Sequence, residues 1–157
     1  MTYCPDAVVL ASSSAVVRLH RILPGDWGIG FGIRHSEYAK TISNVASVSI
    51  ERYWSDYRFV YRLRGGKADR TDVTLSHELR GDYYYKGDSM VALSIADGTE
   101  SEQLSQSNLV STEIKSLSIF GLHRLGRHWS VFWKLSQLRQ GDLYDSKGAG
   151  IELHYRF

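Results

Sequence analysis

The segment Trp27-Gly-Ile29-Gly-Phe31-Gly-Ile33-Arg34 alternates a bulky apolar residue with a glycine, then Arg34, at strict spacing two. Only an extended strand turns successive side chains to opposite faces, so this run is a β-strand with one apolar and one thinly covered face. A mobile loop has no reason to place large residues at every second position. The same alternation recurs downstream. Tyr57, Phe59, Tyr61 and Leu63 oppose Arg58, Val60, Arg62 and Arg64, and Val73, Leu75, His77 and Leu79 oppose Thr74, Ser76, Glu78 and Arg80. Trp129, Val131, Trp133 and Leu135 oppose Ser130, Phe132, Lys134 and Ser136, and Ile151, Leu153, Tyr155 and Phe157 oppose Glu152, His154 and Arg156. Noisier alternation covers residues 13 to 22, 41 to 54, 84 to 97 and 112 to 124, and no segment of helical period competes. The chain reads as all-β with about nine strands.

Composition narrows the class. Ten Tyr, four Trp and five Phe beside 14 Gly and two Pro suit strands and turns. Length allows one domain: 157 residues, hydrophobic at 43% and charged at 23%, form a folded rather than a disordered chain. Lys and Arg total 19 against 17 Asp and Glu, so a net charge of +2 argues for no nucleic-acid partner. A mean hydropathy of -0.28 and the lack of an 18-residue apolar run exclude transmembrane helices. Transmembrane strands survive this test, because alternation dilutes their apolar residues. The single Cys4 forms no disulfide framework, and the six scattered His and the in-strand glycines offer neither a metal set nor a phosphate cradle, so no cofactor is expected.

Connections are expected to alternate in length. Tight turns fall at Pro24-Gly25-Asp26, Ser55-Asp56, Arg80-Gly81-Asp82 and Leu125-Gly126-Arg127, and longer loops at Glu37 to Thr41, Gly65 to Thr71, Gly98 to Asn108 and Gln140 to Gly148. An up-and-down antiparallel barrel of the outer membrane segregates its connections in this way. Alternation alone does not say which face points inward: a soluble lipocalin-like barrel would enclose the apolar face and bind an apolar ligand, a membrane barrel would turn it to lipid. Trp27, Tyr57, Trp129 and Tyr155 lie near strand ends on the apolar face, as an interfacial girdle does. Gly28, Gly30, Gly32, Ser43, Ser47 and Ser49 suit a narrow lumen better than a solvent surface.

The membrane reading makes Arg34, Arg58, Arg62, Arg64, Glu78, Arg80, Lys134, Glu152 and Arg156 the charged lining of the lumen, joined by Glu51, Lys86, Asp88 and His154. Such charges either pair into a rigid plug or form a basic conduit whose guanidinium groups suit carboxylated or phosphorylated saccharides. The closing run Gly150-Ile-Glu-Leu-His-Tyr-Arg-Phe157 resembles the terminal signal read by the barrel assembly machinery, with Tyr155 and Phe157 as its aromatic positions. His128-Trp-Ser130 puts a base and a hydroxyl on one strand face, the minimum for a lipid-modifying acyl hydrolase, but random tripeptides of this kind are common and the surrounding glycine and asparagine context is absent.

Leu23-Pro-Gly-Asp-Trp-Gly-Ile-Gly-Phe-Gly-Ile-Arg34, Val48-Ser-Ile-Glu-Arg-Tyr-Trp-Ser-Asp-Tyr57 with Arg62, Gly87-Asp-Ser89 and Gly148 to Phe157 together resemble the C-terminal two-thirds of the YaiO-like outer-membrane β-barrel family, over residues 13 to 157. The resemblance implies a non-enzymatic barrel of the Gram-negative outer membrane, surrounded by outer-membrane lipid and linked to exopolysaccharide or cell-envelope processes; it supplies no catalytic residues. Met1 to Ser12 reads as an irregular segment without the features of a signal peptide. Since bacterial single-chain barrels have an even strand number, nine strands imply at least one more upstream, in a barrel nearer twelve by the family resemblance.

Overall fold

The structure, a computed structural model, describes residues 2–3, 12–38, 41–68, 73–103, 109–141 and 144–156. Strand β1 is the pair Thr2–Tyr3. Nine long strands follow: β2 Ser13–Leu23, β3 Trp27–Glu37, β4 Ile42–Trp54, β5 Tyr57–Ala68, β6 Thr74–Tyr85, β7 Ser89–Gln103, β8 Leu109–Arg124, β9 Trp129–Gln140 and β10 Tyr144–Tyr155. They form one antiparallel sheet in sequence order, each strand paired with the next. Among the described residues no pairing joins β10 to β1 or β2, so the sheet is curled but not closed by hydrogen bonds. Of the expected N-terminal segment, only Thr2, Tyr3 and Ser12 lie within the described residues, the first two opposite Ser14 and Ser13.

The apolar face is the outer one. Along β3 the burial pattern alternates from Trp27 to Ile33, with Ile29 46% and Phe31 47% exposed and Gly28, Gly30 and Gly32 buried. Among the described residues the buried hydrophobic ones are Val60 and Ala92, far too few for an apolar interior. A lipocalin-like barrel would bury Phe31, Phe59, Leu79 and Ile119; here all four stand on the exposed wall, and that alternative falls.

The expected turn at Arg80-Gly81-Asp82 is not there. Those residues lie inside β6, opposite Val60, Phe59 and Arg58 of β5, and the chain reverses instead at Lys86-Gly87-Asp88. Lys86 takes φ 43° and Gly87 φ 76°, the left-handed geometry that a tight hairpin requires, whereas no residue from 80 to 82 has positive φ. Tyr84 and Tyr85, expected to open the next strand, therefore close β6. The strands also reach further than expected at the other end: β5 continues to Ala68, β7 to Gln103, and β10 starts at Tyr144 rather than Ile151. Loop length thus contrasts less between the two ends than the sequence suggested. Polar strand extensions make the difference, with outward His35, Asn44, Lys67, Asp97, Lys115 and Gln137 replacing the apolar side chains beyond the band.

At the tight-turn end the outer wall carries an aromatic belt. Ring contacts run from Trp54 to Tyr57, Tyr57 to Tyr83 and Tyr83 to Tyr85, then through His123 to Trp133, and Trp129 meets Tyr155 at 4.7 Å. Polar atoms in this wall pair with one another: Trp133 Nε1 donates to His123 Nε2 at 2.7 Å, Tyr85 Oη bonds His123 Nδ1, and Tyr61 Oη lies 2.6 Å from His77 Nδ1. Such pairing is what a hydrocarbon surrounding demands, since no water competes there. Trp133 lies directly over Gly121, where a Cβ would come within 2.7 Å of its Nε1.

Candidate functional site

The inner wall follows from parity. Register pairs Arg58 with Asp82 and Arg62 with Glu78 across β5 and β6, placing opposite charges directly opposite each other. Asp82 is the hub of the first cluster: its Oδ2 accepts from Arg58 Nε and its Oδ1 from Arg80 Nε, both at 2.7 Å. Its side chain is fully buried, and the Arg80 guanidinium lies 4.8 Å above the Phe120 ring. Glu51 of β4 joins from the side, with Oε2 at 3.8 Å from Arg58, 3.5 Å from His20 and accepting from Tyr53 Oη at 3.0 Å. Glu78 is the hub of the second cluster. It accepts from Arg62 at 3.0 Å, from Arg64, and from Ser94 Oγ at 3.2 Å.

Burying these carboxylates is costly unless each is saturated by donors, and the two hubs meet that condition with paired guanidiniums. The half of the wall formed by β2 to β6 is not neutral. From β2 to β6, six inward guanidiniums (Arg18, Arg34, Arg58, Arg62, Arg64 and Arg80) face three inward carboxylates (Glu51, Glu78 and Asp82). Arg18 and Arg34 have no carboxylate partner among the described residues. Both line a cavity of about 680 Å³ that also touches Arg62, Arg64, Ser47 and Ser76. The glycines of β3 make this wall thin. A Cβ at Gly32 would meet Ser47 Oγ at 2.7 Å, one at Gly30 would collide with Ser49 Oγ, and one at Gly28 would lie 3.1 Å from His20 Nε2. Glycine at these positions lets neighbouring polar side chains lie flat along the wall.

Of the charged residues singled out in the sequence, Arg58, Arg62, Arg64, Glu78 and Arg80 are brought together in these clusters, and Arg34 stands apart on the cavity wall. Lys134 lies on β9 opposite Phe120 and Gly150, away from the clusters. Glu152 bonds His154 at 3.0 Å on exposed β10, and Arg156 donates its backbone N–H to the His128 carbonyl at 2.8 Å. Lys86 and Asp88, expected inside, lie in the turn after β6, where Asp88 pairs with Arg124 at 2.6 Å. Tyr155 packs on Trp129 and His128, while Phe157 lies outside the described residues. His128 Nδ1 sits 3.0 Å from the Arg156 carbonyl oxygen and makes no bond to Ser130 among the described residues. Asp82, a turn residue by its local composition, belongs to the same face: extending the alternation of Glu78 and Arg80 by one step puts it beside them.

Comparison with known proteins agrees with this architecture. The sequence pattern of the family described as "YaiO membrane beta barrel domain" matches residues 3–103, beginning before Ser13 and stopping short of the closing strands. No curated protein matches. Among solved structures, the chain is similar to a porin described as "NanC porin structure in rhombohedral crystal form", with a TM-score of 0.59 at 6% identity, covering 90% of this chain and 73% of that one.

Proposed function

The chain belongs to the YaiO membrane β-barrel domain family, and from that premise we propose that it is a non-enzymatic conduit of the Gram-negative outer membrane for anionic saccharides, carboxylated or phosphorylated, in exopolysaccharide or cell-envelope processes. The observation that supports this most is the excess positive charge of the inner wall from β2 to β6, centred on Arg18 and Arg34 beside the paired Arg62 and Arg64. Guanidinium groups bind carboxylate and phosphate through two parallel hydrogen bonds, and a concave basic wall raises the local concentration of anions. The paired clusters around Asp82 and Glu78 hold the wall in shape while leaving the unpaired arginines to meet the ligand.

The test is conductance in planar bilayers under a salt gradient, with the reversal potential giving the ratio of anion to cation permeability. Anion preference is expected, and Arg18→Glu with Arg34→Glu should turn it into cation preference. A cation-selective wild type, or selectivity indifferent to both substitutions, would reject the proposal.

Recognition by the assembly machinery belongs to the same reading. Removal of Phe157 is expected to lower the amount of protein reaching the outer membrane far more than it lowers the stability of folded protein. A single terminal side chain buries apolar area worth only about 1.5 to 3 kcal/mol. Wild-type levels of the truncated protein in outer-membrane fractions would show that the terminal aromatic is not a signal.

A further inference from the structure

Two permanently charged side chains break the apolar band of the outer wall, and both lie at the tight-turn end. Arg21 of β2 stands opposite Ile29, and Arg52 of β4 stands between Trp27 and Phe59 in register, so both point to the lipid-facing side. They flank β3 two strand spacings apart across the sheet and two residues apart along it, about 12 Å between their backbone positions, a span that two arginine side chains can bridge from either side. The Arg52 guanidinium lies 5.1 Å from the Trp27 ring centroid. Neither arginine has a carboxylate partner among the described residues. An ionised group on a membrane-facing wall is expensive unless an opposite charge meets it, and the anion available at that depth is a lipid phosphate.

Beside Arg52 the wall is indented. A groove of about 550 Å³ is lined by Trp27, Ile50, Phe59, Leu79, Leu93 and Ile95. Its floor is Gly81, opposite Phe59 on one side and Leu93 on the other. A Cβ at Gly81 would make only ordinary contact with the Phe59 ring, at 3.7 Å, so no close approach of the backbone requires glycine here. What the missing side chain leaves is an apolar trough running from the arginine into the band.

We propose that this surface is a binding site for one anionic glycerophospholipid, its phosphate held between Arg21 and Arg52 at the Trp27 belt and one acyl chain lying in the trough over Gly81. Charge complementarity selects the phosphate, and the trough selects a hydrocarbon chain. Barrels of this class keep their tight turns on the periplasmic side, which places the site in the phospholipid leaflet and commits it to phospholipid rather than lipid A. The site lies on the opposite face of the sheet from Arg18 and Arg34, so lipid binding and conduction vary independently.

The experiment is native mass spectrometry of the detergent-purified protein titrated with dioleoyl phosphatidylglycerol, with heat-modifiable migration showing that each variant is folded. The wild type is expected to retain one lipid. Arg52→Gln should weaken retention about 5-fold and the double variant Arg21→Gln/Arg52→Gln about 25-fold, as expected for one charge contact per arginine. Arg52→Lys should keep most of the affinity, and Gly81→Leu, which fills the trough without touching the charges, should abolish retention. Equal retention by the wild type and the double variant would overturn the proposal. So would displacement of phosphatidylglycerol by lipid A at equal concentration, or a wild-type dimer that Gly81→Leu dissolves, which would make a second copy the occupant.

Discussion

Replacing Asp82 by alanine is expected to cost about 3 to 5 kcal/mol of folding stability in lipid, the penalty for leaving buried opposite charges without their partner. The side chain is fully buried and holds two guanidiniums at once, Arg58 and Arg80, each through its Nε at 2.7 Å. Removing it leaves two cations against each other, with Glu51, at 3.8 Å from Arg58, as the nearest remaining acid. The control is Glu152→Ala, whose pair with His154 is more than half exposed on both sides and should contribute little. Reversible urea unfolding in phospholipid vesicles measures both. A double variant Asp82→Ala/Arg80→Met should recover part of the loss, because the two sites share one interaction and do not add. Equal, small costs for Asp82→Ala and Glu152→Ala would show that the cluster is hydrated rather than buried.

Arginine in place of Ile119 is expected to cost about 2 to 4 kcal/mol in the same assay, and arginine in place of Ser118 much less. The two residues are adjacent in β8 and point to opposite faces. Ile119 stands between Leu93 and Leu135 in the middle of the outer apolar band, and Ser118 between Ser94 and Ser136 on the inner wall. Outside, the new charge faces hydrocarbon with no partner; inside, it meets polar side chains beside Glu78, which already bonds Ser94. The opposite ranking would mean that the apolar wall faces protein or water instead of lipid.

The clusters show where local reading succeeds and where it stops. Arg58, Arg62, Arg64, Glu78 and Arg80 were legible as one face, because spacing two decides the side of a strand regardless of what the strand packs against. Asp82 was not legible, because Gly81 between two polar residues carries the same composition as a turn. Its place in β6 is decided by the partners on both sides, Arg58 and Ala92, which continue the ladder through residues 80 to 82. The same holds for the loop ends: Gly65-Gly66 and Asp97-Gly98 look like breaks in sequence, yet pairing with β4 and β8 carries β5 and β7 through them.

Arg52 belongs to another kind of omission. In sequence it is one charged residue in Glu51-Arg52-Tyr53, and only the register that sets it beside Trp27 and next to the trough over Gly81 gives it a role.

The sequence by itself determined that the chain is all-β, which residues share a face and how many long strands follow one another, since side-chain alternation is a property of each strand alone. The tertiary structure alone decided which face is outside. Apolar-in and apolar-out barrels share the same alternation, and the choice lies in the direction of sheet curvature, which turns Gly28, Gly30 and Gly32 inward and Ile29 and Phe31 outward. It also decided which carboxylate meets which guanidinium, because those contacts depend on register between strands and not on spacing within one.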